Sequence, residues 1–174
     1  QFWVEVEMSD DMTEVQKTAE ELHGCPVIVS LGQRVLLVAR DQYVSVMKAL
    51  LDDTFDLCVD LTAVDYLLMP NRVVGADIKP ERFEVVVSVM SMQKHERLRL
   101  RVQVPADDAT IDTLFDVHPG TEALEREVFD MFGIVFNGHP DPTRILMPED
   151  WDGHPLRKDY DFGRIPVQFK GSPA

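Results

Sequence analysis

Residues 83–104 read FEVVVSVMSMQKHERLRLRVQV, and this stretch decides the fold class. Phe83–Met90 is an almost continuous apolar run of strand length, so it reads as a central strand. From Arg97 to Val104 the pattern changes. Leu98, Leu100, Val102 and Val104 alternate with Arg97, Arg99, Arg101 and Gln103. A strict period of two predicts an antiparallel strand with one buried and one wet face. Its arginines are then either solvated or paired with acidic groups of a partner.

Toward the N-terminus, Phe55–Ala63 also has period two. Phe55, Leu57, Val59, Leu61 and Ala63 share one predicted face, and Asp56, Cys58, Asp60 and Thr62 share the other. Met69-Pro70-Asn71 and Ile78–Pro80 bracket a long hairpin loop between this strand and Phe83. Gln42–Leu51 carries Val44, Met47, Leu50 and Leu51 at helical spacing. Val27–Val29 and Val35–Arg40 read as strands joined by a tight turn at Leu31-Gly32-Gln33-Arg34. Asp10–Leu22 has helix punctuation: an acidic start, Val15, Ala19 and Leu22 on one face, and Gly24 as a stop.

After Val104, Thr110–Phe115 reads as a short helix with Ile111, Leu114 and Phe115 together. Thr121–Phe132 is the strongest helix. Leu124, Val128, Met131 and Phe132 form its apolar stripe, Thr121 is its candidate cap, and Gly133 suits a left-handed C-terminal cap. Glu122, Glu125, Glu127 and Asp130 mark its polar side. The order predicts an α+β fold: a two-layer domain with helices packed on a mixed, largely antiparallel sheet in α-β-β-α-β-β-β order. The acidic helix closes a first unit, residues 1–133. Residues 134–174 are expected to be an extended, proline-containing, partner-binding tail.

Composition narrows the function. The chain has 174 residues, 45% of them hydrophobic, and a formal net charge of -14. An acidic surface repels phosphate backbones and anionic lipid, which argues against nucleic acid and membrane surfaces as partners. No apolar run approaches the ~20 residues that span a bilayer. The first residues lack a basic region followed by an apolar one, so no secretory leader is read there. The sequence starts at Gln1 rather than Met, which leaves room for residues before it. Two cysteines, Cys25 and Cys58, read as buried thiols. Two thiolates alone do not supply the four that an iron–sulfur cluster usually takes from protein.

The tail repeats one triplet, Gly138-His139-Pro140 and Gly153-His154-Pro155. Pro142, Pro148 and Pro155 stop a helix from propagating. Trp151, Leu156 and Tyr160 supply large apolar faces, and Arg144, Arg157 and Lys158 supply charge. Trp, Tyr and Arg are the types that dominate interface energetics. His139 and His154 lack the further ligands a zinc site needs, so each is read as hydrogen-bonded to backbone. Glu127 and Asp130, three apart on a helix, are candidate acid–base carboxylates. Ion pairs to Arg144 and Arg157 or to a basic partner are the plainer reading.

Two motifs, E-R-E-x-F-D-M-F-G-I-x-F-x-G-H-P from Glu125 and R-I-L-M-P-x-x-W-x-G-H-P-L-R-K-D-Y from Arg144, resemble the signature of the 30 kDa subunit family of respiratory complex I. In bacteria that complex is the NADH-quinone oxidoreductase. The resemblance covers Glu125–Tyr160 without a gap. It implies a peripheral-arm subunit with no redox cofactor of its own, in a complex that uses FMN, iron–sulfur clusters, NADH and quinone. It implies partners in the large quinone-pocket subunit and the adjacent iron–sulfur subunits, and a peripheral place on the cytoplasmic face of the cell membrane. Interface roles carry over onto Glu125, Arg126, Glu127, Asp130, Gly133, His139, Pro140, Arg144, Pro148, Gly153, His154, Pro155, Arg157, Lys158, Asp159 and Tyr160. Trp151 joins them on residue type.

Two other readings compete. One is the equivalent subunit of a membrane-bound nickel–iron hydrogenase or F420-type dehydrogenase complex. The other is an independent hydrolase using Glu127, Asp130 or His154. No G-x-G-x-x-G follows a strand, so the chain has no dinucleotide fingerprint.

Overall fold

The computed structural model describes residues 20–75 and 78–161. Among these residues, eight strands and two α-helices run in the order β1 (Glu20–Leu22), β2 (Cys25–Ser30), β3 (Gln33–Val38), α1 (Tyr43–Asp52), β4 (Leu57–Asp65), β5 (Phe83–Ser91), β6 (Glu96–Val104), β7 (Thr110–Asp112), α2 (Glu122–Phe132) and β8 (Val135–Asn137). Six strands form one sheet in the order β1-β2-β3-β6-β5-β4. Only β3 and β6 run parallel in it; the other neighbours are antiparallel. The reason lies in the connections. Hairpin turns build β1-β2-β3 from one edge, α1 carries the chain to the far edge at β4, and hairpins return it through β5 to β6. The α+β, mixed and largely antiparallel expectation holds.

The alternating strand sets the core. Leu98, Leu100, Val102 and Val104 are all buried and sit opposite Val89, Val87, Val85 and Phe83. They pack in one cluster with Tyr43, Val46, Met47 and Leu50 of α1 and Val128, Met131 and Phe132 of α2. Each fully buried side chain of this size stabilises the fold by about 1.5–3 kcal/mol. The β2–β3 turn is two residues, Leu31 and Gly32, both at positive φ, the geometry that matches strand twist in tight hairpins.

The opposite face departs from the wet surface expected for the arginines. Ile28, Val35 and Leu37 are covered there by Val74 and Ile78 of the β4–β5 loop. Arg101 grips Glu84 with two hydrogen bonds of 2.6 and 2.8 Å. Glu84 is only 1% exposed and also takes Arg72 and Gln103. Arg99 donates to Gln33, and Arg97 stays exposed. The chain's own loop and carboxylate thus stand where solvent or a partner is expected.

Three local expectations are corrected. Glu20–Leu22 is a strand, not the last turn of a helix. It pairs with β2 across His23 and Gly24, both at positive φ, so Gly24 serves a hairpin. The rest of the helix expected over residues 10–22 lies outside the described residues. Thr110–Asp112 is a strand because it finds a parallel partner in β8; tertiary pairing overrides its local pattern. In β4 the register slips between Cys58 and Asp60. This bulge puts Leu61, Ala63 and Asp65 on the core side while Leu57 and Val59 are exposed.

Candidate functional site

Helix α2 organises everything that follows it. Gly133 ends it in the left-handed conformation, φ 70°, as expected, with its N–H donating to the Phe129 carbonyl at 2.8 Å. Thr121 makes no side-chain cap; its hydroxyl instead donates to the Glu125 carboxylate and the His118 carbonyl. A helix end leaves four carbonyls without internal partners. Here the tail satisfies four consecutive ones. His154 Nδ1 donates to Asp130 O (2.9 Å), Leu156 N to Met131 O (3.0 Å), Arg157 Nε to Phe132 O, and Arg157 Nη2 to Gly133 O (3.3 Å). The second Gly-His-Pro triplet and the Arg157 that follows are therefore a C-terminal cap delivered from a distance. Arg157 also places a cation at the negative end of the helix dipole and lies 5.3 Å from the Phe83 ring centre.

Asp130 holds the preceding stretch. It is 0% exposed, and its carboxylate accepts Arg144 Nη1 at 2.6 Å and the N–H groups of Ile145, Leu146 and Met147 at 3.1, 2.7 and 2.8 Å. Burial alone would raise its pKa; the amides of Met147, Leu146 and Ile145 and the Arg144 guanidinium outweigh this and hold the carboxyl below the usual aspartate range. Arg144 Nη2 then donates to Gly153 O at 3.0 Å. The expected Asp130–Arg144 pair is present. Glu127, by contrast, is exposed while Asp130 is buried, so the two do not form a carboxylate pair facing one site.

The first triplet grips the other end of α2. His139 Nε2 lies 3.1 Å from Glu122 O, while Nδ1 accepts the Asp141 N–H at 3.1 Å. Nε2 is therefore the protonated nitrogen. Arg126 binds Thr143 and the Arg144 carbonyl. Glu125 is fully buried and accepts Thr113 Oγ1, Leu114 N and Thr121 Oγ1 at 2.5, 2.7 and 3.1 Å, fixing the β7–α2 connection. Burial pushes its pKa up, and these three donors offset only part of that.

A further buried carboxylate, which the sequence reading missed, ties the tail to the sheet. Asp65, at the end of β4, accepts Arg82 Nε and Nη2 at 3.1 and 2.8 Å, Leu67 N at 2.9 Å and Lys158 N at 2.9 Å. Arg82 reaches on to Asp159 at 2.7 Å. Its signal was in the alternation: Asp65 falls in step with Leu61 and Ala63, where an apolar residue belongs. Glu125 likewise stands in step with Val128 and Phe132.

The remaining named residues lie on the outer side. Pro140, Pro148, Lys158 and Asp159 are exposed; Trp151, Gly153, Pro155 and Tyr160 are half-buried. Gly153 has φ 85°, and a Cβ there would stand 2.8 Å from the Tyr160 ring. Among the described residues no group of three or more His, Cys, Asp or Glu side chains is placed to hold a metal ion, and no helix is long and apolar enough to cross a membrane.

The fold is shared with known proteins. Residues 36–165 match the family of the respiratory-chain NADH dehydrogenase 30 kDa subunit, and the chain belongs to that family. Relatives named as a subunit of NADH-quinone oxidoreductase include one from Saccharopolyspora erythraea, 42% identical over 149 residues (84% of this chain, 56% of the relative). Another, from Nocardia farcinica, bears the same name and is 38% identical over 173 residues (94% and 65%). The chain thus spans between about half and two-thirds of the length of these relatives. Among solved structures it is similar to the trypsin-resistant fragment (1-134) of Nqo5, with TM-score 0.59 and 35% identity over 68% of this chain and 89% of the other. It also shares its fold with a chain of the membrane-bound sulfane sulfur reductase, an archaeal respiratory membrane complex, at TM-score 0.67 and 21% identity over 85% and 88%.

Proposed function

We propose that this chain is a non-catalytic peripheral-arm subunit of an NADH:quinone oxidoreductase. It scaffolds the quinone-reducing module while other chains carry FMN and the iron–sulfur clusters that pass electrons from NADH to quinone and drive proton translocation. The observation that carries this reading is the family match, which runs from β3 through the tail that lies along α2 (the strap, residues 138–161). Residues 1–133 act as the α+β unit and residues 134–174 as the part that meets partners, chiefly the large quinone-pocket subunit and its iron–sulfur neighbours. The inward-facing residues of the strap shape the surface: Arg144, His154 and Arg157 spend their polar groups on α2, whose Asp130 holds the amides of residues 145–147, and so fix what Pro140, Pro148, Trp151, Lys158 and Tyr160 present outward. The complex holds the chain at the cytoplasmic face of the membrane.

The hydrogenase or F420-type alternative is not favoured. The relatives described above, at 38–42% identity, carry the NADH-quinone oxidoreductase name, and the archaeal complex shares only the fold.

A tagged copy of the full-length chain, purified in mild detergent from its own membranes, tests the proposal. Recovery with FMN, iron and NADH:quinone activity is expected. Recovery as a lone protein, or with a hydrogenase, would replace it.

A further inference from the structure

Two buried carboxylates hold backbone inward and leave large apolar side chains facing out. Asp65 binds the amides of both Leu67 and Lys158, so the loop after β4 and the strap meet at one side chain. Leu156, whose own amide is held by Met131 O, lies two residues from Lys158, at most about 7 Å of chain. Asp130 fixes the amides of Ile145 and Leu146 beside that same turn of α2. Leu68 is 75% exposed, Met69 60%, Leu146 55% and Leu156 46%. Apolar side chains presented on a hydrogen-bonded frame form a contact surface already ordered before a partner arrives.

On both sides of this belt's Leu156 in sequence, the same strap lines a concavity of about 570 Å³ with Asp150, Asp152, Asp159 and Asp161, with Trp151 and Tyr160 as walls. Asp159 is paired with Arg82, but Asp150 and Asp152 have no ion-pair partner among the described residues. Four carboxylates thus line it, with Arg82 offsetting one of them.

We infer that the belt and concavity together dock one amphipathic, basic segment of a neighbouring subunit, its apolar residues on Leu68, Leu146 and Leu156 and its Lys or Arg side chains in the acidic concavity. Charge selects this occupant. Anionic lipid is repelled by the aspartates. A second copy of a chain with net charge -14 is repelled as well. The inference rests on the proposed place in the NADH:quinone oxidoreductase and adds to it the surface and the chemistry of the partner.

The test uses the full-length chain assembled in its membranes, with the photo-crosslinker p-benzoylphenylalanine at position 68, 156 or 92. Met92 is exposed but sits beyond the opposite end of β5 from the Asp65 anchor, so it serves as the control. Positions 68 and 156 are expected to link to a single Lys- or Arg-rich peptide of another subunit, and position 92 is not. The double variant Leu68→Asp, Leu156→Asp is expected to be retained in the complex about tenfold less than the parent, with an unchanged thermal melt of the free chain. Links only to this chain, to a second copy or to lipid would overturn the inference, as would full retention of the double variant. Absence of the chain from any NADH:quinone oxidoreductase removes both this inference and the function proposed above; presence without the links removes this inference alone.

Discussion

His139 and His154 hold the same helix at its two ends. His139 Nε2 lies 3.1 Å from the Glu122 carbonyl and His154 Nδ1 lies 2.9 Å from the Asp130 carbonyl. The repeated Gly-His-Pro triplet is thus a pair of clamps, eight residues apart on α2. Burial and the nearby Arg157 and Arg144 cations keep the His154 pKa below that of a free imidazole, while the Asp130 carbonyl opposes them. A neutral ring with one donor is what the clamp uses.

Arg157→Ala exposes the cap. It strips partners from Phe132 O and Gly133 O. Loss of such charged hydrogen bonds costs about 1.5–3 kcal/mol. The strap is expected to become a site of limited proteolysis while residues 20–120 keep their cooperative melt. Equal resistance of variant and parent to protease would show that Arg157 does not hold the strap.

Gly133→Ala meets two obstacles. The residue sits at φ 70°, where a side chain costs about 1–2 kcal/mol. Its Cβ would also stand 2.5 Å from His154 Nε2 and 2.6 Å from Arg157 Nη2. The melting temperature is expected to fall, and the strap to come away with it. A variant as stable as the parent in urea would refute the close approach.

Acid should release the strap before it unfolds the sheet. Asp65 and Asp130 both titrate below the 3.8 of a free aspartate. For Asp65, burial is outweighed by Arg82 and the Lys158 and Leu67 amides; for Asp130, by the three amides and Arg144. The stabilisation each gives is complete well above pH 3.8 and is lost as pH falls through the depressed folded-state values. Glu125 has the opposite sign: its raised pKa stabilises the fold below 4.5 and loses that contribution as pH rises through the folded value. In a Trp3→Phe background, Trp151 fluorescence should report release only below pH 3.8. Release between pH 5 and 7 would assign the switch to some other group.

The thiols should be inert. Burial, chiefly, pushes the Cys58 pKa up to about 11, and it raises that of buried Cys25 as well. At pH 8 little thiolate is present to react. Iodoacetamide labelling of the native protein is expected to be slow at both sites and complete after denaturation. Fast native labelling would mean that the β4 edge opens.

The architecture was legible where one period ran uninterrupted. The alternation over Leu98–Val104 and the apolar stripe of Leu124–Phe132 placed β6 and α2 and the core between them. What failed was decided at a distance. Thr110–Asp112 looks helical in isolation and becomes a strand because β8 lies beside it. Leu57 and Val59 share a phase with Leu61 in sequence, and a one-residue bulge separates them. At the site, the triplets, Gly133 and the Asp130–Arg144 pair could be read directly. The destination of the strap could not, because its anchor Asp65 is 93 residues from Lys158. Its one signal was a carboxylate at a core position of a strand.

Asp130→Asn in the membrane-bound complex gives the most direct measurement. The substitution leaves Arg144 without its buried carboxylate and weakens the hold on residues 145–147, at a cost of about 3 kcal/mol. NADH:quinone turnover, divided by the amount of assembled complex on a native gel, separates scaffold from catalyst. Less complex with unchanged turnover per complex is the expected result. A full complement of complex with reduced turnover would place Asp130 in the chemistry and contradict a purely structural subunit.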